Sequence, residues 1–110
     1  MWPVKRGEIW WVNFDPSIGG ETQKKRPAII VSNDAANGHL NRVQVVPLTS
    51  NTERIFPSEA LVHVGKKKSK AMADQLTTVS KLRLLSKVAK AKDDELAQVE
   101  KAIMTQLGLL

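Results

Sequence analysis

The spacing of apolar positions changes along the chain, dividing it into strand material and a terminal helix. Residues 8–14, EIWWVNF, are rich in β-branched and aromatic types and predict a strand. Residues 15–25 contain Asp-Pro, Gly-Gly and little that is apolar, which predicts a long mobile loop. Residues 28–31 are continuously aliphatic, the pattern of a strand buried on both faces or inside a barrel. Counted from Pro27, this is the longest apolar run, and it is strand-sized, far short of a membrane span. Residues 43–46 predict a third strand, whose regular pairing Pro47 should end. In residues 60–64 the alternation puts Ala60, Val62 and Val64 on one face, and residues 72–79 supply the last clear strand material. Beyond them Leu96, Val99, Ile103 and Leu107 repeat at helical spacing. Asp93, Asp94 and Glu95 complement the dipole in that helix's first turn, with Asp93 as the expected N-cap. Short strands followed by one helix predict a mainly β fold, a small curled sheet or barrel packed by the C-terminal helix. The pattern does not fix the strand order.

At 110 residues, without repeats, a low-complexity tract or a linker, the chain is expected to form one domain over residues 1–110. Its first residues, MWPVKRGEIWW, hold no apolar stretch followed by a small-residue cleavage site, so no export signal is expected. Cysteine is absent, which excludes disulfides, thiolate catalysis and cysteine-based zinc sites and suits a cytoplasmic protein. The net charge of +6 is unevenly spread. From Asp93 onward four acids face one base, whereas the preceding ninety-two residues hold sixteen bases against seven acids, a net of +9. Such a body attracts polyanions, with RNA or DNA ahead of a membrane surface; the alternative is a merely soluble basic domain.

Four segments, in order, are KRGEIWWVNFDP, GGETQKKRPAIIVSND, VVPLTS and ADQLTTVSKLRL. Together they resemble the MazF/PemK family of toxin ribonucleases, from about Lys5 to the C-terminal helix. Each fragment alone is unspecific, and the ordered set is not. The resemblance implies an SH3-like barrel, a homodimer and a cytoplasmic endoribonuclease, an mRNA interferase neutralised by a cognate antitoxin. It further implies sequence-specific cutting of single-stranded RNA without a metal or other cofactor, leaving a 2′,3′-cyclic phosphate and a free 5′-hydroxyl.

Metal-free cleavage of RNA uses the neighbouring 2′-hydroxyl as nucleophile, which spares DNA. Something must take the hydroxyl proton, stabilise charge on the phosphorane and protonate the leaving oxygen. The chain offers only two histidines, His39 in a turn-like stretch and His63 on the face opposite Val62 and Val64, both expected at the surface. Arg26 stands where the mobile loop meets a buried strand, and its planar fork suits a phosphate. The resemblance places a catalytic arginine in this Arg-Pro motif. Thr49 and Ser50 end the VVPLTS segment, where a hydroxyl can meet a non-bridging phosphate oxygen or serve ordinary turn chemistry. The resemblance likewise favours a functional Glu21 in the loop, able to accept the 2′-hydroxyl proton; the alternative is an ion pair with Lys24 or Lys25. Asp74 matches an acid that some relatives use near the scissile phosphate, or else orients backbone groups or a neighbouring arginine. Ser50, Asp74, Gln75 and Lys25 are secondary candidates for catalysis or RNA binding. Relatives with that acid carry an arginine two residues earlier, where this chain has Met72, so their acid–base pair does not transfer to Met72 and Asp74.

Lys66, Lys67, Lys68 and Lys70 form a cationic run between two strands, expected as a solvated hairpin tip or a track for an RNA backbone. Of Trp10 and Trp11, on opposite faces of a strand, one is expected in the core and the other at a dimer interface or beneath a base. Trp2 precedes regular structure and carries no assignment. The acids at positions 93–95 are explained by the helix dipole rather than by a metal. The competing function is a non-catalytic barrel of the same fold, binding RNA or poisoning gyrase. The convergent set Arg26, Thr49 and Glu21 argues against it.

Overall fold

The computed structural model describes residues 3–110, so Trp2 lies outside the described residues. The strands are β1 (Glu8–Asn13), β2 (Lys25–Ile30), β3 (Arg42–Thr49), β4 (Glu59–Val64), β5 (Lys67–Met72), β6 (Thr77–Ser80) and β7 (Leu84–Lys90). They form one antiparallel sheet in the order β4-β5-β3-β2-β1-β7, with β6 paired to β3 as well. A short helix α1 (Asp34–His39) joins β2 to β3, and α2 (Asp93–Gln106) follows β7. This is the expected mainly β architecture, a curled half-barrel with a C-terminal helix.

Alternation in the three central strands feeds two apolar clusters on opposite faces. Ile9, Ile29, Val46 and Leu48 pack with Val62, Ala71 and, from α2, Val99 and Ala102. Their sequence neighbours Trp10, Ala28, Ile30 and Val45 pack with Val4, Phe14, Val79 and Leu84. Burial on both faces is why residues 28–31 read as an unbroken aliphatic run. Glu8 is buried beside the second cluster. Burial pushes its carboxyl pKa up, but hydrogen bonds from the Lys87 ammonium (2.9 Å), the Lys5 N–H (2.8 Å) and the Trp10 indole N–H (3.1 Å) outweigh that and hold it below 4.5.

Several expectations need correction. Pro47 does not end β3, which runs to Thr49. It falls between the last rung to β6, at Val45, and the first rung to β5, at Leu48, so its missing N–H lies where that edge changes partner. The lysine run is not a hairpin tip. The turn is confined to Gly65 and Lys66, with Gly65 at φ +64, while Lys67, Lys68 and Lys70 lie in β5. Lys70 is buried, its ammonium 3.0 Å from Glu59 and 2.8 Å from the Arg54 carbonyl. Residues 72–79 are not one strand, because a 3-10 turn at Ala73–Gln75 separates β5 from β6.

Two elements carried no clear pattern. β7, LLSKVAK, is an edge strand exposed at most positions, so it lacks alternation. Helix α1 includes the turn-like Asn37-Gly38-His39 stretch, and Asn33 caps it by accepting from the Ala36 N–H. Its Asn37 is buried, with its amide held by Ser32 and Asp34. In α2 the N-cap is Lys92, which makes no side-chain cap bond, and Asp93 belongs to the first turn. Leu107 is exposed just past the helix rather than part of its buried stripe.

Candidate active site

Register explains how Arg26 and Thr49 meet. Ala28 of β2 faces Pro47 of β3 in the last rung between these strands, and Arg26 and Thr49 lie two residues beyond it, one on each strand. Both are half-buried and line a cleft of about 290 Å³ together with Ser50, Lys24, Lys25 and Lys67. Among the described residues no carboxylate lines this cleft, and four cations surround its hydroxyls. The Arg26 Nε–H donates to the Gln23 carbonyl at 3.2 Å, and among the described residues no carboxylate pairs with the guanidinium. Its two terminal nitrogens remain to grip an anion. The Thr49 hydroxyl accepts from the Asn51 N–H at 3.3 Å, which keeps its proton free for donation. Trp10 is in the core, whereas Trp11, 40% exposed, adds an aromatic wall to the cleft.

The backbone turns sharply just before Arg26. Lys24 adopts φ +68, the left-handed region that few non-glycine residues occupy. Its N–H donates to Asp15 Oδ1 at 2.8 Å and its carbonyl accepts from the Phe14 N–H at 2.9 Å. These bonds close the loop of residues 14–24 at its neck and start β2 immediately beyond it.

Glu21 does not join this group. It lines a second cleft of about 360 Å³ with Asp74, Gln75 and Arg83. Its Oε1 accepts from the Ile18 N–H at 2.8 Å, and among the described residues it makes no ion pair with Lys24 or Lys25. Asp74 is exposed there, while the Gln75 amide bonds the loop, accepting from the Thr22 N–H and donating to the Gly20 carbonyl, both at 3.1 Å. Met72 is half-buried opposite Glu59 and lines neither cleft.

The histidines stand apart from both clefts. His39 bonds the Ala35 carbonyl at 2.9 Å, and His63 meets Glu95 of α2 at 2.6 Å. Both are exposed, as expected. Among the described residues no three His, Asp or Glu side chains converge on one point.

One residue of this region escaped sequence reasoning. Arg83, in a 3-10 turn before β7, donates to the Asn13 and Asp15 carbonyls at 2.9 and 2.5 Å and so fixes the start of the loop. No local pattern marks it, since its partners lie about seventy residues away.

Cations, hydroxyls and an aromatic face in one open cleft suit a single-stranded polyanion with stackable bases. Comparison with known proteins agrees in kind. The profile of the family described as "PemK-like, MazF-like toxin of type II toxin-antitoxin system" matches residues 5–107. Endoribonuclease MazF9 of Mycobacterium tuberculosis is 36% identical over 115 residues, covering 96% of this chain and 98% of that protein. The crystal structure of MazF (Form-I) from Deinococcus radiodurans superposes with a TM-score of 0.87 at 30% identity, over 98% of this chain and 99% of that one. An endoribonuclease solved in complex with its cognate antitoxin, from a Mycobacterial species, gives 0.80 at 26% identity over 97% of each chain.

Proposed function

The chain belongs to the PemK-like, MazF-like toxins of type II toxin–antitoxin systems and is an endoribonuclease, and from that premise we propose that it cuts single-stranded RNA at short sequence motifs through the substrate's own 2′-hydroxyl. The 2′-hydroxyl gives its proton to a base as its oxygen attacks the adjacent phosphorus. The bond to the 5′-oxygen breaks with a proton supplied by Arg26, which solvent then restores, and the products are a 2′,3′-cyclic phosphate and a 5′-hydroxyl. Because the nucleophile is built into the substrate, no metal is needed to generate one. The cleft's cations and hydroxyls are also a poor donor set for a hard divalent ion, which prefers carboxylates and carbonyls.

Arg26 neutralises the charge gathering on the non-bridging oxygens, with its terminal nitrogens as the fork. Thr49 donates its hydroxyl to the same oxygens, and Ser50 is a second donor beside it. Lys25 holds the neighbouring phosphate. Glu21 takes the 2′-hydroxyl proton only when the loop swings it out of its own cleft. Where it now sits, Glu21 and Asp74 accept from donor groups of flanking nucleotides. The reading rests on one observation above all: an arginine that pairs with no carboxylate among the described residues and shares with a threonine a cleft lined by cations.

The active unit is a homodimer of one-domain chains spanning residues 1–110, working in the cytoplasm without membrane association. A cognate antitoxin silences it by laying an acidic flexible segment across the basic cleft. The test is incubation with mixed-sequence RNA in excess EDTA. Discrete fragments ending in cyclic phosphate, absent with a folded Arg26→Ala variant, support the reading. Cutting that needs an added metal, or that survives in Arg26→Ala, refutes it.

A further inference from the structure

We propose that Gln75 is a positioning residue for cleavage: its side-chain amide sets the loop between β1 and β2 and, through the Gln23 carbonyl, aims the guanidinium of Arg26. The inference rests on the reading that Arg26 works at the scissile phosphate.

The loop of residues 14–24 is largely self-contained. Its bonds at the neck, between Phe14 and Lys24 and between Lys24 and Asp15, fold the loop onto itself. So does the mutual bonding of Ile18 and Glu21. The neck bonds continue the β1–β2 pairing and hold the loop's base, including the Gln23–Lys24 peptide, whereas the Ile18–Glu21 bonds leave open how the tip stands against the sheet. Besides Asn13, which accepts from the nearby Asp15 N–H, side chains from distant parts of the chain settle that. Arg83 holds the first strand-to-loop residues, and Gln75 holds the far half.

The grip of Gln75 is two-sided. Its Oε1 accepts from the Thr22 N–H and its Nε2 donates to the Gly20 carbonyl, both at 3.1 Å, so one amide spans the backbone on either side of Glu21. The next residue, Gln23, offers the carbonyl that receives the Arg26 Nε–H at 3.2 Å. Gln75 itself is well anchored. It ends a 3-10 turn whose Ala73 is buried, with the Ala73 N–H on the Ser58 carbonyl at 3.0 Å and the Leu76 N–H on the Ala73 carbonyl at 3.1 Å. A chain of contacts therefore runs from the sheet through Gln75 and Thr22 to Gln23 and the guanidinium. Anchoring Nε fixes the plane of the fork and points its terminal nitrogens, which is what bidentate phosphate contact requires.

The experiment is a double-mutant cycle on an RNA oligonucleotide containing one mapped cleavage site. Single-turnover rate constants, RNA affinity and thermal midpoint are measured for wild type, Gln75→Ala, Gln75→Glu and each of these combined with Arg26→Lys. Gln75→Ala should slow cleavage on the order of tenfold, since small misplacements of reacting groups are costly, with affinity and midpoint little changed. Gln75→Glu keeps the acceptor for the Thr22 N–H, loses the donor to Gly20 and should fall between the two. Lysine has no Nε–H to meet Gln23, so in the Arg26→Lys background either substitution should change the rate by less than about twofold.

An equal loss in both backgrounds overturns the proposal, as does a loss confined to RNA affinity, which would make Gln75 a direct RNA contact. If Gln75→Ala fails to fold, the Gln75→Glu cycle decides alone. Arg26→Lys cutting at the wild-type rate is a different failure, because it removes the site assignment itself.

Discussion

Replacing Glu59 by leucine should destabilise the fold by about 3–5 kcal/mol, because it strands a buried ammonium. The Lys70 and Glu59 side chains are only 9% and 10% exposed, with Nζ and Oε1 3.0 Å apart. Lys70 keeps two other neighbours, the Arg54 carbonyl at 2.8 Å and the Phe56 ring at 5.9 Å, and neither carries a compensating charge. Against a typical total stability of about 5–15 kcal/mol, the loss is a large fraction. The thermal midpoint should fall on the order of 10 °C or more. The double variant Glu59→Leu/Lys70→Met removes both charges and should recover to within about 1 kcal/mol of wild type, since apolar replacement of a whole buried pair is often neutral. Urea unfolding of the three proteins measures both quantities. A cost below about 1 kcal/mol for Glu59→Leu, or a double variant as unstable as the single one, would show that no uncompensated charge is stranded. The pair also touches function. Glu59 accepts from the Phe56 N–H at 2.9 Å and Lys70 holds the Arg54 carbonyl, so together they tether the segment after Thr49 and Ser50. A stable double variant that cuts RNA more slowly would separate that tether from its stability role.

Thr49→Val keeps the side-chain shape and removes the hydroxyl; the cleavage rate should fall about a hundredfold with RNA binding little altered, checked by single-turnover kinetics beside a filter-binding titration. Glu8 lies below its ordinary 4.5 because its hydrogen bonds outweigh burial, so its contribution is full above that value and is lost as pH falls through the folded pKa. Glu8→Gln should therefore be less stable near neutrality and lose less stability on acidification, as urea midpoints across the acid range would reveal. Lys67→Ala removes one cleft cation and should flatten the slope of log affinity against log salt by about 0.7 for single-stranded RNA. An unchanged slope would put Lys67 off the RNA path.

The sequence was most legible where a residue's local pattern and its tertiary setting say the same thing. β1, the aliphatic run in β2 and the period of α2 are such places, since two-sided or one-sided burial is written directly into residue type. β7 was invisible because an exposed edge strand has no alternation to display. Helix α1 was hidden because its stability comes from capping by Asn33 and from the buried Asn37 amide, a polar solution within six residues that reads as a turn. The lysine run misled for a related reason. Lys70 looks like its neighbours in sequence, yet it alone is buried, because Glu59, diagonally across the β4–β5 hairpin, pairs with it.

The same reasoning explains why the candidate residues divide into two clefts. Arg26 and Thr49 belong together because each lies two residues past the Ala28–Pro47 rung that pairs β2 with β3, a placement implicit in the two motifs. Glu21 sits only five positions before Arg26 and would be expected at the same phosphate. What separates them is the path of the loop, and that path is fixed by bonds from Gln75 and Arg83, between 53 and 70 residues away along the chain. A short motif cannot encode a direction set at that distance. It follows that the proton acceptor is the least portable part of the mechanism: it depends on whether the loop keeps or releases its hold on Gln75 when RNA arrives. If RNA binding frees the Thr22 N–H from that side chain, its hydrogen exchange should quicken in the complex and Glu21 becomes available to the 2′-hydroxyl. If its protection persists through binding, Glu21 stays in its own cleft and the base must be sought elsewhere.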